Sequence, residues 1–263
     1  MKTVKILIRA LSLIGLNPVS LYHTVRGLPR YLSSYLKLSR QIRCAGGSFP
    51  FGMPYPCLQD VTAGSGTASG HYFHQDLLVA TRIFETAPDR HIDVGSRVDG
   101  FVAHVASFRQ IDVIDIRPQA NTIRNIRFIA ADFMAELPDF LVGACDSVSC
   151  LHALEHFGLG RYGDPVDHTG HLTGLDNLLR MLRPGGRLFL SVPIGPSRIE
   201  FNAHRVFSIS YLLDVIGDRA TLDRFSYVDD KGSLHENMSL DSDRINENCG
   251  CNYGCGIFEL TRT

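Results

Sequence analysis

The first 59 residues contain no aspartate or glutamate; the first acid is Asp60. This stretch carries eight basic residues instead: Lys2, Lys5, Arg9, Arg26, Arg30, Lys37, Arg40 and Arg43. The other 18 basic residues therefore meet all 27 acidic ones, and a net charge of −1 conceals a body of formal charge −9. A basic arm on an acidic body favours contact with something anionic: a lipid surface, a lipid-linked phosphate, or the body itself. No apolar run reaches the roughly 18 residues that a membrane-spanning helix requires. The start, Met1-Lys2-Thr3-Val4-Lys5 before apolar residues, has a signal-like beginning. Arg9 interrupts it, Asn17-Pro18 ends it, and no clear small-residue cleavage site follows. The expectation is no cleaved signal and no spanning segment, with peripheral membrane contact through the arm left open. Cysteine is also short of what a disulfide scaffold needs: seven residues, an odd number, in a chain of 263. That argues for a reducing, cytoplasmic setting, at the inner face of the membrane if the arm binds lipid. No internal repeat or low-complexity segment interrupts an ordinary globular composition, 44% hydrophobic and 20% charged.

Residues 1–43 read as two helical pieces broken near Asn17-Pro18, and 44–70 as a Gly-, Pro- and Ser-rich loop. Together, 1–70 form a basic extension to a domain at 71–263. Within that domain the pattern predicts strand 90–94, helix 99–108, strands 111–116, 126–130 and 146–151, and helix 172–183. Strand 187–192, helix 208–216 and strands near 223–229 and 255–261 follow. Strands interleaved with helices imply an α/β fold, with a mostly parallel sheet wound on both faces. The last two strands, with no clear helix between them, suggest an antiparallel hairpin at the edge.

Asp93-Val94-Gly95-Ser96-Arg97-Val98-Asp99-Gly100 runs a short strand through a glycine turn into a helix. In open α/β sheets such a turn lies where ligands bind. Gly95 and Gly100 have the spacing of a nucleotide-phosphate loop, but Phe101 follows where that loop needs lysine. Arg97 fills the middle glycine of a dinucleotide turn. A ligand without pyrophosphate, such as S-adenosylmethionine, suits what is left. Asp115 ends the next strand, twenty residues after Gly95, where a carboxylate can accept from both hydroxyls of a ribose. A turn or helix-capping acid before Pro118 is the competing reading. Asp132 and Phe133 follow the third strand, placed for an adenine amine and ring, with a capping role again the alternative. Ile116 and Leu151, beside the strand ends, complete the cofactor set.

Two further segments define a class. Asp146-Ser147-Val148 leads through Leu151 to Leu154-Glu155-His156, and Leu182-Arg183-Pro184-Gly185-Gly186 turns a helix into a strand. Over residues 90–193 this order resembles the class I, Rossmann-like methyltransferases. The resemblance implies a seven-stranded sheet with the antiparallel edge hairpin, and S-adenosylmethionine as cofactor. From Gly70-His71-Tyr72-Phe73-His74-Gln75-Asp76, through His156–Pro165 to Phe201-Asn202-Ala203-His204-Arg205, the chain is also similar to a domain-of-unknown-function family. That family is associated with bacterial surface-polysaccharide genes, which implies O-methylation of a sugar, on a saccharide or lipid-linked glycan acceptor. A small-molecule or lipid-quinone methyltransferase fits the same motifs. So does a non-catalytic nucleoside- or glycan-binding scaffold, which Arg97 in the glycine turn keeps open.

A sugar hydroxyl needs a general base, and histidine is best matched in pKa. His156, after the fourth strand, is the first candidate and His204, after the fifth, the second; His152 is near by chain position. Tyr72, His74 and Asp76 read as part of a lid over the cofactor or as an ordinary helix start. Two segments invite a metal: Asp164 to His171, and Cys249, Cys251 and Cys255. Solvated loop charges explain the first better, and three thiols fall short of the usual four-ligand zinc set. No residue is assigned to a metal.

Overall fold

The computed structural model describes residues 12, 15–45, 49–62 and 64–263. The signal-like start and the first of the two N-terminal helical pieces fall outside the described residues. The chain divides into two compact units, Met1–Thr67 and Ala68–Thr263. The first unit consists mainly of α1, Pro18–Ala45. Pro18 sits where a missing N–H is harmless, and Asn17 Oδ1 accepts from the backbone N–H of Val19 (3.1 Å) and Ser20 (3.0 Å). Asn17-Pro18 thus starts a helix. None of the residues of α1 is buried. No helix among the described residues is long and apolar enough to cross a membrane.

The second unit opens with α2, His71–Thr86, which buries Gln75, Asp76, Leu78, Val79, Ala80 and Ile83, a stripe at helical spacing. Strand β1 (His91–Val94) follows, then a π-helical turn (Val98–Val102) and a four-residue helix α3 (Ala103–Ala106). The helix expected over 99–108 is therefore split between a wide π-turn and a single α-helical turn. Gly100 leaves helical backbone there (φ −119°, ψ −117°), and a Cβ on it would meet Asp76 Oδ2 at 3.1 Å. Next come β2 (Ile111–Asp115), β3 (Ile126–Ala130), β4 (Cys145–Leu151), α4 (Gly170–Met181) and β5 (Leu182–Ile194). The Pro-Gly-Gly turn lies inside β5. Cys145 pairs with Leu182 but Ser147 with Arg187, so residues 183–186 bulge out, with Gly185 at φ +77°. A small hairpin, β6 (Arg198–Glu200) with β7 (His204–Val206), precedes α5 (Ile209–Ile216). The Ser208 hydroxyl caps α5. The chain closes with β8 (Ala220–Val228), β9 (Leu234–His235), α6 (Ser242–Asn246) and β10 (Gly254–Arg262).

The main sheet has the order β3-β2-β1-β4-β5-β10-β8-β9. Strands β1 to β5 pair in parallel, and β10 is antiparallel to both β5 and β8. It has eight strands where seven were expected. The extra one is β9, turned back onto β8 because the Asp229 carboxylate accepts from the N–H groups of Lys231 and Ser233. The Tyr227 and His235 rings then stack across that pair at 4.5 Å. A short helix, α6, also separates the closing strands. Alternation splits the core between the two faces of the sheet. Ile92, Val94 and Ile114 pack with Leu175 and Leu178 of α4 on one face. Ile111 and Val113 pack with Leu78, Val79 and Ile83 of α2 on the other. Strand order reverses between β1 and β4, so a crevice opens at their carboxyl ends.

Candidate functional site

A cavity of about 570 Å³ occupies that crevice. Its floor is the turn after β1. Gly95 has φ +81°, and a Cβ there would stand 2.7 Å from that of Ala153, so the backbone approaches the space as only glycine allows. Asp93 braces the turn from below. It is fully buried and accepts from Ser96 N (3.1 Å), Ser96 Oγ (2.8 Å) and Ser149 Oγ (2.5 Å). Burial pushes its pKa up to about 7 against those bonds. Because Ser149 gives its proton to Asp93, the His91 Nε2–H donates to Ser149 Oγ (3.1 Å) and Nδ1 accepts from Ser147 (2.8 Å).

Of the cofactor residues proposed from sequence, Gly95, Ser96, Arg97, Gly100, Asp115, Ile116, Asp132, Phe133 and Leu151 line the cavity, as does His156. Asp93 and His204 are not in its wall. Asp93 lies one layer deeper because alternation along β1 turns it to the opposite face from Val94. His204 is held in the small hairpin, 3.4 Å from the Glu200 carboxylate, its ring centroid 6.5 Å from that of His156. Arg97 does not fill the turn with its side chain. Its guanidinium pairs outward with Asp99 at 2.7 and 2.9 Å and is 73% exposed.

Asp115 is engaged by its own strand end. Its carboxylate accepts from Arg117 N (2.8 Å), Nε (2.9 Å) and Nη2 (2.5 Å). The Arg117 guanidinium also lies 4.6 Å from the centre of the Tyr162 ring, a cation–π contact. Asp132 Oδ1 accepts from Met134 N (2.9 Å), so it braces a turn rather than capping a helix, and it still faces the cavity.

The loop after β4 forms the opposite wall. Asp164 gathers it by accepting from the N–H groups of Gly158 (3.0 Å), Gly160 (3.1 Å) and Tyr162 (3.1 Å). The buried Arg205 donates to the carbonyls of Phe157 (2.5 Å) and His168 (3.4 Å). Asp164 and Asp167 are thus used in turn geometry, and His168 is exposed. The His156 Nδ1–H donates to Ala203 O at 2.7 Å, which leaves Nε2 as an acceptor. Burial lowers the His156 pKa, so its imidazole is neutral near pH 7. His152 sits at φ +51°, with Nδ1 2.7 Å from Glu155 Oε1. Burial opposes charge on His152, but Cys255 and Glu155 outweigh it and raise its pKa well above 6.5.

Several wall residues escaped the sequence reading: Gln75, Met134, Arg117 and Tyr162, while His152 had only its chain position as a signal. Tyr72 and Asp76, suggested as lid residues, do line the cavity; His74 does not. The amphipathic stripe that buries Asp76 and Gln75 was the available signal for α2.

The eight-stranded order, with its glycine floor and strand-end acids, defines a Rossmann-like fold of the class I methyltransferase type. A solved structure of Burkholderia thailandensis 1,6-didemethyltoxoflavin-N1-methyltransferase, with bound 1,6-didemethyltoxoflavin and S-adenosylhomocysteine, shares this fold. The TM-score is 0.52 at 15% identity, over 72% of this chain and 78% of that one. The N-methyltransferase NodS of Bradyrhizobium japonicum, solved with S-adenosylhomocysteine, aligns at TM-score 0.48 and 15% identity, over 73% and 88% of the two chains. No curated protein matches the sequence. A family model described as "Caenorhabditis protein of unknown function, DUF268" matches residues 105–250, and the chain belongs to that family.

Proposed function

We propose that this chain is an S-adenosylmethionine-dependent methyltransferase that acts on a sugar hydroxyl. The observation that carries the reading is the convergence of the Gly95 turn, Asp115, Asp132 and Phe133 on one cavity. These residues fit an adenosyl group: backbone bare of Cβ at the floor, a ribose-accepting carboxylate, and an acid beside an aromatic ring. Arg117 has to release at least one Asp115 oxygen, and its 44% exposed side chain has room to do so. The Burkholderia methyltransferase that shares this fold and was solved with S-adenosylhomocysteine supports the same reading.

When bound, S-adenosylmethionine supplies an electrophilic methyl group on sulfur. The protein's task is then alignment of an oxygen nucleophile and removal of its proton. His156 is the residue proposed for proton removal: it faces the cavity and is neutral near pH 7, with Nε2 available as an acceptor. His204 lies outside the wall and is the weaker candidate. Tyr162, Asp164 and the loop they shape stand on the acceptor side. A saccharide, free or lipid-linked, is the acceptor class, as in surface-polysaccharide synthesis. The basic segment before Asp60 would hold the enzyme at an anionic membrane surface on the cytoplasmic side.

Incubation with isotopically labelled methyl donor and a glycan extract of the source cells tests this. Label is expected in a saccharide fraction, and His156→Ala should lower turnover by about 10²–10⁴-fold, the usual weight of a general base, with donor affinity unchanged. Label confined to quinones or to lipids that carry no sugar would remove the sugar acceptor. Failure of the folded protein to bind S-adenosylhomocysteine would remove the whole reading.

A further inference from the structure

A second polar cluster adjoins the cavity and takes no part in the reaction just described. His71 opens α2, His152 follows β4, and Cys255 lies near the start of β10. One donor atom from each falls within 4.8 Å of the others. His152 is buried, and its Nε2 has no hydrogen-bond partner either as donor or as acceptor. Leaving a buried polar nitrogen unmatched is costly, so the site calls for an occupant. The other ring nitrogen is 2.7 Å from the Glu155 carboxylate, which itself is buried. That carboxylate–imidazole pair is the arrangement that orients metal-ligating histidines and raises their basicity. Cys255 is fully buried and acts on the His152 ring; its other contacts are long, 3.7 Å to Gln75 Oε1 and 3.9 Å to Gly256 O.

We propose that His71, His152 and Cys255 bind a divalent zinc ion, with Glu155 as the residue that positions His152. Two imidazoles and a thiolate form a borderline-soft donor set, which suits zinc and disfavours the oxygen-seeking magnesium and calcium. Three protein ligands with a fourth position open is the pattern of reactive rather than purely structural zinc. His152 is the one ligand that also lines the cavity, so a fourth ligand arrives from that side. The rings of His71 and His152 now stack at 5.1 Å, 6° from parallel. Converging on one ion turns them out of parallel and draws the donors together by roughly 1 Å, toward zinc–ligand distances of about 2.0–2.3 Å. Cys249 and Cys251 contribute nothing to this set. The cysteine-rich reading of the C-terminus fails because Cys255 finds its partners on α2 and after β4 instead. The proposal stands on these donors and does not depend on methyl transfer.

The full chain, stripped of metal by a chelator, is titrated with cobalt(II) as a spectroscopic stand-in for zinc. One equivalent should bind and produce a sulfur-to-cobalt charge-transfer band. Cys255→Ser should abolish that band, while Cys249→Ser should retain it. His71→Ala, at a half-buried helix start that folding tolerates more readily, should weaken binding at least tenfold. Glu155→Gln should weaken it by about 10–100-fold. Circular dichroism and S-adenosylhomocysteine affinity are followed in the same samples. A variant that keeps its fold and nucleoside affinity but loses cobalt supports the site. Cobalt bound without nucleoside affinity also supports it, and then only the methyltransferase reading falls. No stoichiometric cobalt on the folded wild type, a band that survives Cys255→Ser, or one that vanishes with Cys249→Ser overturns the proposal.

Discussion

Replacing Asp115 with alanine should weaken S-adenosylhomocysteine binding by roughly 30-fold to several thousand-fold. The carboxylate is only 10% exposed, and in the proposed complex it accepts from two ribose hydroxyls. Hydrogen bonds to a charged group contribute about 1.5–3 kcal/mol each, so two supply about 3–6 kcal/mol. Against this stands the Arg117 pair that has to open. With its guanidinium nearly half exposed, that pair contributes no more than about 1 kcal/mol. The net, about 2–5 kcal/mol, converts to the stated range at 1.4 kcal/mol per factor of ten. Isothermal calorimetry at fixed salt measures it, alongside Arg117→Ala. That second change frees the carboxylate and should leave affinity unchanged or up to about fivefold tighter, since it removes the competing ion pair. An Asp115→Ala protein that keeps its melting curve and binds within threefold of wild type would show that this carboxylate does not hold the ribose.

Gly95→Ala should impair both folding and nucleoside binding, since it forces a left-handed backbone on alanine and drives its Cβ to 2.7 Å from Ala153. A loss of about 1–3 kcal/mol in denaturant unfolding is expected. Asp93 carries a pH signature. Its pKa is raised from 3.8 to about 7 by burial, so the native state holds the proton more tightly than the unfolded chain does. Its stabilising contribution is full below pH 3.8 and is lost as pH rises through about 7. Asp93→Asn should flatten that part of the stability curve in urea titrations between pH 4 and 8; an unchanged slope contradicts the assignment. Arg82→Met should destabilise the packing of α2 on β10 by about 3 kcal/mol. It leaves the buried Glu259, now 3.0 Å from Arg82 Nε, with only the longer 3.4 Å contact to Arg224. Thermal melting of the variant reads this directly.

Much of the sheet was legible because its signals are local. Apolar residues interleaved with short polar ones, as in Ile111–Asp115 and Cys145–Leu151, mark strands, and the glycines at 95 and 185 mark turns whatever the rest of the chain does. The same locality explains the misses. Gly100 sits in a stretch with helical periodicity, yet the approach of Asp76 from α2 favours a wide turn there. The Asp229 turn that adds an eighth strand depends on a side chain folding back onto its own loop. At the site, strand-end acids were visible because the α/β architecture puts every such residue at one rim. Arg117 was not, because nothing in Ile116-Arg117-Pro118 says that the guanidinium will turn back onto Asp115.

The sequence by itself marked the parallel strands and their alternation with helices, the bare glycine turn and the acids at 115 and 132, since each follows from periodicity or turn chemistry within a few residues. Only the tertiary structure decided which polar groups share a space. It moved Asp93 beneath the cavity and His204 away from its wall, and it brought His71, His152 and Cys255 together from segments some eighty and a hundred residues apart. Such convergence depends on how α2 and β10 pack around the end of β4, and no spacing along the chain encodes it.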